Sequence, residues 1–108
     1  MKRVGLLLVG VFVVGAMPIL AQEAGDAANG QKVYAAQRCS VCHKVGEAGG
    51  AMGPALTTVG DKRDMAWLKK YLVDPKSVSP DNRMPAVKVE GKELDDLVAY
   101  LLTLKAKQ

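Results

Sequence analysis

Cys39-Ser40-Val41-Cys42-His43 is the stretch of this sequence whose chemistry most narrowly dictates a shape. Two thiols separated by two residues, followed at once by an imidazole, have the form of a c-type haem attachment site. The spacing has a reason. Thiols so placed reach the two vinyl groups on one haem edge and become thioethers, and the chain then turns back so that the next residue offers its imidazole to the iron. His43 is the only histidine of the 108 residues, so any histidine-dependent function rests on it.

Other chemistries for these residues stay open at this level. A Cys-x-x-Cys pair serves thiol–disulfide exchange, but such sites sit beside a βαβ pattern, which the sequence lacks. A zinc site needs four ligands, and here there are two Cys and one His with no second cluster. A plain structural disulfide is the third alternative.

The start reads Met1-Lys2-Arg3, an uncharged run from Val4 to Leu20, then Ala21. A short positive region, an apolar stretch and a small residue form the pattern of a secretory leader over residues 1–21, cleaved after Ala21. Gly5, Gly10, Gly15 and Pro18 interrupt the run, which at 17 residues falls short of the about 20 a spanning helix uses. Ile19 is bulkier than the ideal residue at that site, so an uncleaved N-terminal anchor is the alternative. Either way the domain of residues 22–108 lies outside the cytoplasmic membrane, in the periplasm. Beyond the leader, 13 basic side chains face 11 acidic ones, scattered and without aromatic platforms. That excludes a nucleic-acid stripe.

The periodicity predicts an all-α domain. Asp26 caps a helix over about 27–38, with Gly30 inside it at a cost of up to about 1 kcal/mol relative to Ala. Residues 64–73 carry apolar side chains at helical spacing, and Pro75 stops their continuation. Residues 74–90, with Pro75, Pro80 and Pro85, read as irregular loop. A last helix over about 92–105 places Leu94, Leu97, Val98, Leu101 and Leu104 on one face. Glu93, Asp95 and Asp96 lie in its first turn, where the helix dipole favours them. No period-2 strand is evident. Aromatic content after the leader is only Tyr34, Trp67, Tyr71 and Tyr100, a thin supply for a domain this small, which points to a cofactor in the core.

Three methionines follow the leader. Met65 reads as core packing on the middle helix. Met52, nine residues past His43, stays on the histidine side. Met84 lies 41 residues beyond His43, ahead of Pro85, in the proline-rich loop. That separation lets the chain wrap the haem edge and approach from the opposite face, and the prolines lower the entropy lost on fixing a weak thioether ligand. His43 and Met84 are the expected iron ligands.

Taken together, the haem motif 39–43, Gly53-Pro54-Ala55-Leu56, Asp74-Pro75, Met84-Pro85 and Leu97-Val98-Ala99-Tyr100-Leu101 resemble the small monohaem class I cytochromes c of bacteria, over nearly all of residues 27–108. The resemblance implies that fold, with three to four helices around one haem c bound covalently through Cys39 and Cys42. It also implies a crossing of the first and last helices at Gly30 and Tyr100, a Pro54 carbonyl on the second imidazole nitrogen of His43, and Met84 as the methionine ligand. Helical-bundle cytochromes c carry the motif near the C-terminus, unlike this chain. Trp67, Tyr71, Lys62 and Arg63 are candidates for the haem edge or its propionates, with core packing and solvated charge as the plain alternatives.

With both axial positions filled, no site is open for substrate. The expectation is a non-enzymatic one-electron carrier, cycling Fe(III)/Fe(II), monomeric, not inserted in the membrane once the leader is cleaved, and docking transiently on redox proteins. Lys44, Lys62, Lys69, Lys70 and Lys88 are candidates for a docking ring. Alternatives are a bound electron-transfer subunit of an oxidoreductase complex, a peroxidase-like or gas-binding haem protein if Met84 does not ligate, and a haem-free thiol–disulfide protein.

Overall fold

A computed structural model describes residues 25–106, together with the separate glycines 5, 10 and 15. The leader expected over residues 1–21 otherwise lies outside the described residues. Helix α1 spans Ala27–Ala36 and starts at Asp26, whose carboxylate accepts the backbone N–H groups of Ala28 (3.0 Å) and Asn29 (3.2 Å). It ends two residues before the sequence reading had it, because Arg38 adopts a left-handed conformation (φ 60°). The chain therefore turns straight from α1 into a 3-10 turn at Cys39–Val41.

A small ribbon follows, pairing β1 (Lys44–Val45) with β2 (Ala48–Gly49) antiparallel, Lys44 opposite Gly49. Two-residue strands are too short to leave an alternating pattern, so the sequence did not reveal them. Single-turn α2 (Val59–Lys62) precedes α3 (Met65–Val73), which Asp64 caps by accepting the Trp67 N–H at 2.9 Å. Pro75 ends α3 as expected but also opens a further turn, α4 (Pro75–Val78), since a proline fits the first helical position. The loop read over 74–90 thus contains a helical turn. Helix α5 (Gly91–Leu102) closes the fold, ending when the Thr103 hydroxyl donates to the Tyr100 carbonyl at 2.6 Å. Leu104 and Lys105, expected inside this helix, lie beyond it. Among the described residues no helix is long and apolar enough to cross a membrane.

Helices α1 and α5 pack across each other through Val33, Tyr34, Leu97, Val98 and Leu101, all buried. A Cβ on Gly30 would collide with the Asp96 carbonyl and the Tyr100 Cβ, so glycine is what lets the two backbones meet. Tyr34 and Tyr100 add an edge-to-face contact at 5.3 Å.

Asp96 does something the sequence reading did not anticipate. Rather than lying on the surface for the helix dipole, its side chain is fully buried. It accepts the Lys92 ammonium at 2.6 Å, the Asp26 backbone N–H at 2.7 Å and the Asn29 amide at 2.7 Å. Foremost the Lys92 bond, then the bonds from Asp26 and Asn29, hold its carboxyl down at about 2. Met65 is also corrected: expected in the core, it is 38 % exposed at the first position of α3.

Two outcomes follow from this crossing. Asp96→Asn lowers the melting temperature near neutral pH. An ordinary aspartate titrates near ~3.9, so the ionised Asp96 contributes its stability above that value and loses it as pH falls towards about 2. The gap between native and variant melting curves should narrow across that window; a gap independent of pH would refute the role. Gly30→Ala gains up to about 1 kcal/mol in helix propensity but loses about 1–3 kcal/mol to overpacking, so denaturant unfolding should show net destabilisation.

Candidate functional site

The 3-10 turn winds the cysteine–histidine motif into one knuckle. Cys42 and His43 both direct their backbone N–H groups to the Cys39 carbonyl, at 3.2 and 3.0 Å. Both cysteines are half-buried, and they are not joined in a disulfide. The glycine-rich loop then folds back over the knuckle, Gly50 N–H bonding to Ser40 and Gly53 N–H to Cys42, at 2.9 and 2.7 Å.

That return path fixes His43. Its Nδ1 lies 2.6 Å from the Pro54 carbonyl, as the resemblance implied. A carbonyl only accepts, so Nδ1 carries the proton and Nε2 keeps its lone pair for a metal. Gly53 lies flat against the ring, and a Cβ there would strike Cε1 and Nδ1. The sequence placed this glycine in the Gly53-Pro54-Ala55-Leu56 motif of the resemblance without assigning it a contact with His43. Its position just before Pro54 was the available signal.

The knuckle opens onto a cavity with two lobes, of about 470 and 480 Å³. Cys39, His43, Pro54, Tyr71, Ser79 and Met84 line both lobes, so His43 and Met84 come together as the sequence spacing suggested. Cys42 and Met52 line the first lobe, Met52 being 88 % exposed. Five buried core side chains (Tyr34, Leu68, Leu72, Leu97 and Leu101) form a wall of the second lobe. The hydrophobic core is therefore built as a shell around a space.

The lining fits a haem. It is mostly apolar, and its charged members are all cations: Arg38 and Arg83 in one lobe, Lys62 and Arg63 in the other. An apolar macrocycle with two carboxylates matches both properties. The Tyr34 hydroxyl is buried in this wall without a hydrogen-bond partner. Burial, then the neighbouring Cys39 and Tyr100, push that phenol up to about 12. Burial likewise pushes the Cys39 thiol up. Thiol–disulfide catalysts depend on a depressed thiol pKa, so that alternative loses support.

Trp67 stacks on Tyr71 with ring centres 4.8 Å apart, and the Arg63 guanidinium lies 4.1 Å over Trp67. The aromatics are thus wall residues. Of the lysines expected to ring the docking face, only Lys62 lines the cavity, and Lys69 pairs with Asp95 at 2.6 Å. Arg38 and Arg83 were missed.

The family model for cytochrome c matches residues 27–105. Cytochrome c2 of Rhodomicrobium vannielii is 30% identical, over 95% of this chain and 97% of that protein. Subunit 2 of the cytochrome c oxidase of Alkalihalophilus pseudofirmus is 33% identical over 73% of this chain, which spans only 26% of that longer protein. SoxXA from P. pantotrophus shares the fold, with a TM-score of 0.66 at 24% identity, over 89% of this chain and 94% of that one. The CxxCH spacing and the matched family together mean covalent haem c on Cys39 and Cys42.

Trp67, the only tryptophan, lines the haem cavity. Its fluorescence should be strongly quenched in the folded holoprotein and recover on unfolding in guanidinium. Bright emission from the native state would remove Trp67 from the haem wall.

Proposed function

The chain belongs to the cytochrome c family and transfers electrons as a haem protein, and we propose that it is a one-electron carrier of the periplasm with His43 and Met84 as the two axial iron ligands. The observation that carries this reading is that Cys39, His43 and Met84 line the same two lobes. Haem, when bound, supplies one electron reversibly between Fe(III) and Fe(II), at a potential raised by histidine/methionine ligation.

The protein's own residues do the rest. Pro54 accepts from Nδ1 and sets the tautomer and plane of His43. Leu56, Leu68, Leu72, Val87, Leu97 and Leu101 keep the cavity apolar. Arg38, Lys62, Arg63 and Arg83 offer cations to the propionates and to an approaching acidic partner. With both iron positions taken the protein has no substrate site. It works as a monomer that docks briefly on redox proteins, after export and removal of residues 1–21.

The likeness to an oxidase subunit supports a second reading, in which the domain serves as a bound electron-transfer subunit. A stoichiometric partner retained through purification would select it over the free carrier.

The test is the absorption spectrum of the exported protein, oxidised and reduced, for native chain and Met84→Ala. Native ferric protein should show the weak far-red sulfur–iron band and the variant should lack it. Carbon monoxide should bind only the reduced variant. Haem without that band in the native protein would leave an open or differently ligated iron, and mass spectrometry of the same sample locates the N-terminus expected at Gln22. Removing the haem should leave a largely unfolded chain, because five core side chains would then face a void; a helical, cooperatively melting apoprotein would contradict this.

A further inference from the structure

Asn82 precedes Met84 by two residues and is half-buried in the loop after α4. Its side chain makes two hydrogen bonds. Oδ1 accepts the Met84 backbone N–H at 2.5 Å. A backbone N–H only donates, so this bond fixes which way the carboxamide faces. Nδ2 is then turned to the Tyr71 hydroxyl oxygen, to which it donates.

Tyr71 belongs to α3 and is braced by its stack on Trp67, with Arg63 on the far face. From Pro80 to Ala86, among the described residues, the hydrogen bond from Asn82 to Tyr71 is the only one that reaches another helix. The next tie to α3 comes at Val87, whose N–H bonds to Leu72 at 2.9 Å. One carboxamide therefore couples the backbone of Met84 to the most braced wall of the cavity.

We propose that Asn82 is the positioning residue of the methionine ligand, holding the Met84 thioether in place by tying its backbone to Tyr71. This rests on Met84 being the ligand. Without the tie, the loop from Pro80 to Ala86 is free to withdraw, and a competing ligand from solution displaces the thioether more easily. Because one intramolecular hydrogen bond contributes up to about 1.4 kcal/mol, the shift is roughly tenfold.

The experiment is an imidazole titration of folded ferric holoprotein, followed by loss of the far-red band, for native chain, Asn82→Ala, Asn82→Ser, Tyr71→Phe and the Asn82→Ala/Tyr71→Phe double variant. Asn82→Ala and Tyr71→Phe should each lower the half-saturating imidazole by roughly tenfold, and the double variant should be no worse than Asn82→Ala, since both remove one link. Serine still accepts the Met84 N–H but is too short for Tyr71, so it should behave as alanine does. A merely structural role would lower the melting temperature and leave the titrations unmoved. Titrations equal to native, or effects that add, overturn the inference while the native band preserves Met84 as ligand. A native protein without the band overturns both. Tyr71→Phe carries the test if Asn82→Ala does not fold.

Discussion

Where α1 crosses α5, main chain lies on main chain, because Gly30 has no side chain to hold the Asp96 carbonyl away. Packing that close brings Asp96 within reach of the start of α1, where a backbone N–H and the Asn29 amide meet its carboxylate. Burying a charge is costly unless it is paired and fully hydrogen-bonded, and Lys92 completes the set. The crossing is thereby fixed in register as well as in distance. One side of the haem cavity is hung from it: the knuckle on the end of α1, and Leu97 and Leu101 of α5.

The two sides of the cavity are built differently. His43 sits on a knuckle with short hydrogen-bonded returns, clamped between the Gly53 backbone and the Pro54 carbonyl. Met84 sits on a longer excursion whose ties to the rest are few. On the proposed ligation, a nitrogen ligand needs its ring plane set, which a tight local clamp supplies. A thioether has no plane and needs only to be delivered to the right place, for which a tethered loop suffices.

What was legible in the sequence was what is local. Asp26 caps its helix through bonds spanning two or three residues, and the cysteine–histidine knuckle spans five, so residue type and spacing revealed them; the Asp64 cap, equally local, was read only as the first residue of its helix. The cavity's pairing of His43 with Met84 was legible from separation along the chain, and the roles of Gly30 and Pro54 from the family resemblance. Asp96 was not, because a carboxylate in a first helical turn looks the same whether it faces water or Asn29, 67 residues away. Met65 reads as apolar at helical spacing, yet the helix turns it outward. Of the cavity cations, Lys62 and Arg63 were candidates from the sequence, whereas Arg38 and Arg83 were missed because which face a basic side chain occupies depends on packing that no periodicity encodes. Asn82 was hidden for a simpler reason: its partner Tyr71 lies on a different element.

The acidic start of α1 and one of the cavity's cations stand at opposite ends of that helix. Asp26 caps the start of α1, where Lys92 already pairs Asp96, while Arg38 follows its end, 10 residues of helix later. That is about 15 Å of separation. A molecule whose charges nearly cancel in sum still carries an electric dipole when they are sorted in space. In the field of an acidic surface it experiences a torque before it experiences much net attraction. It would arrive with its haem-bearing end turned forward, so that fewer collisions are spent in the wrong orientation.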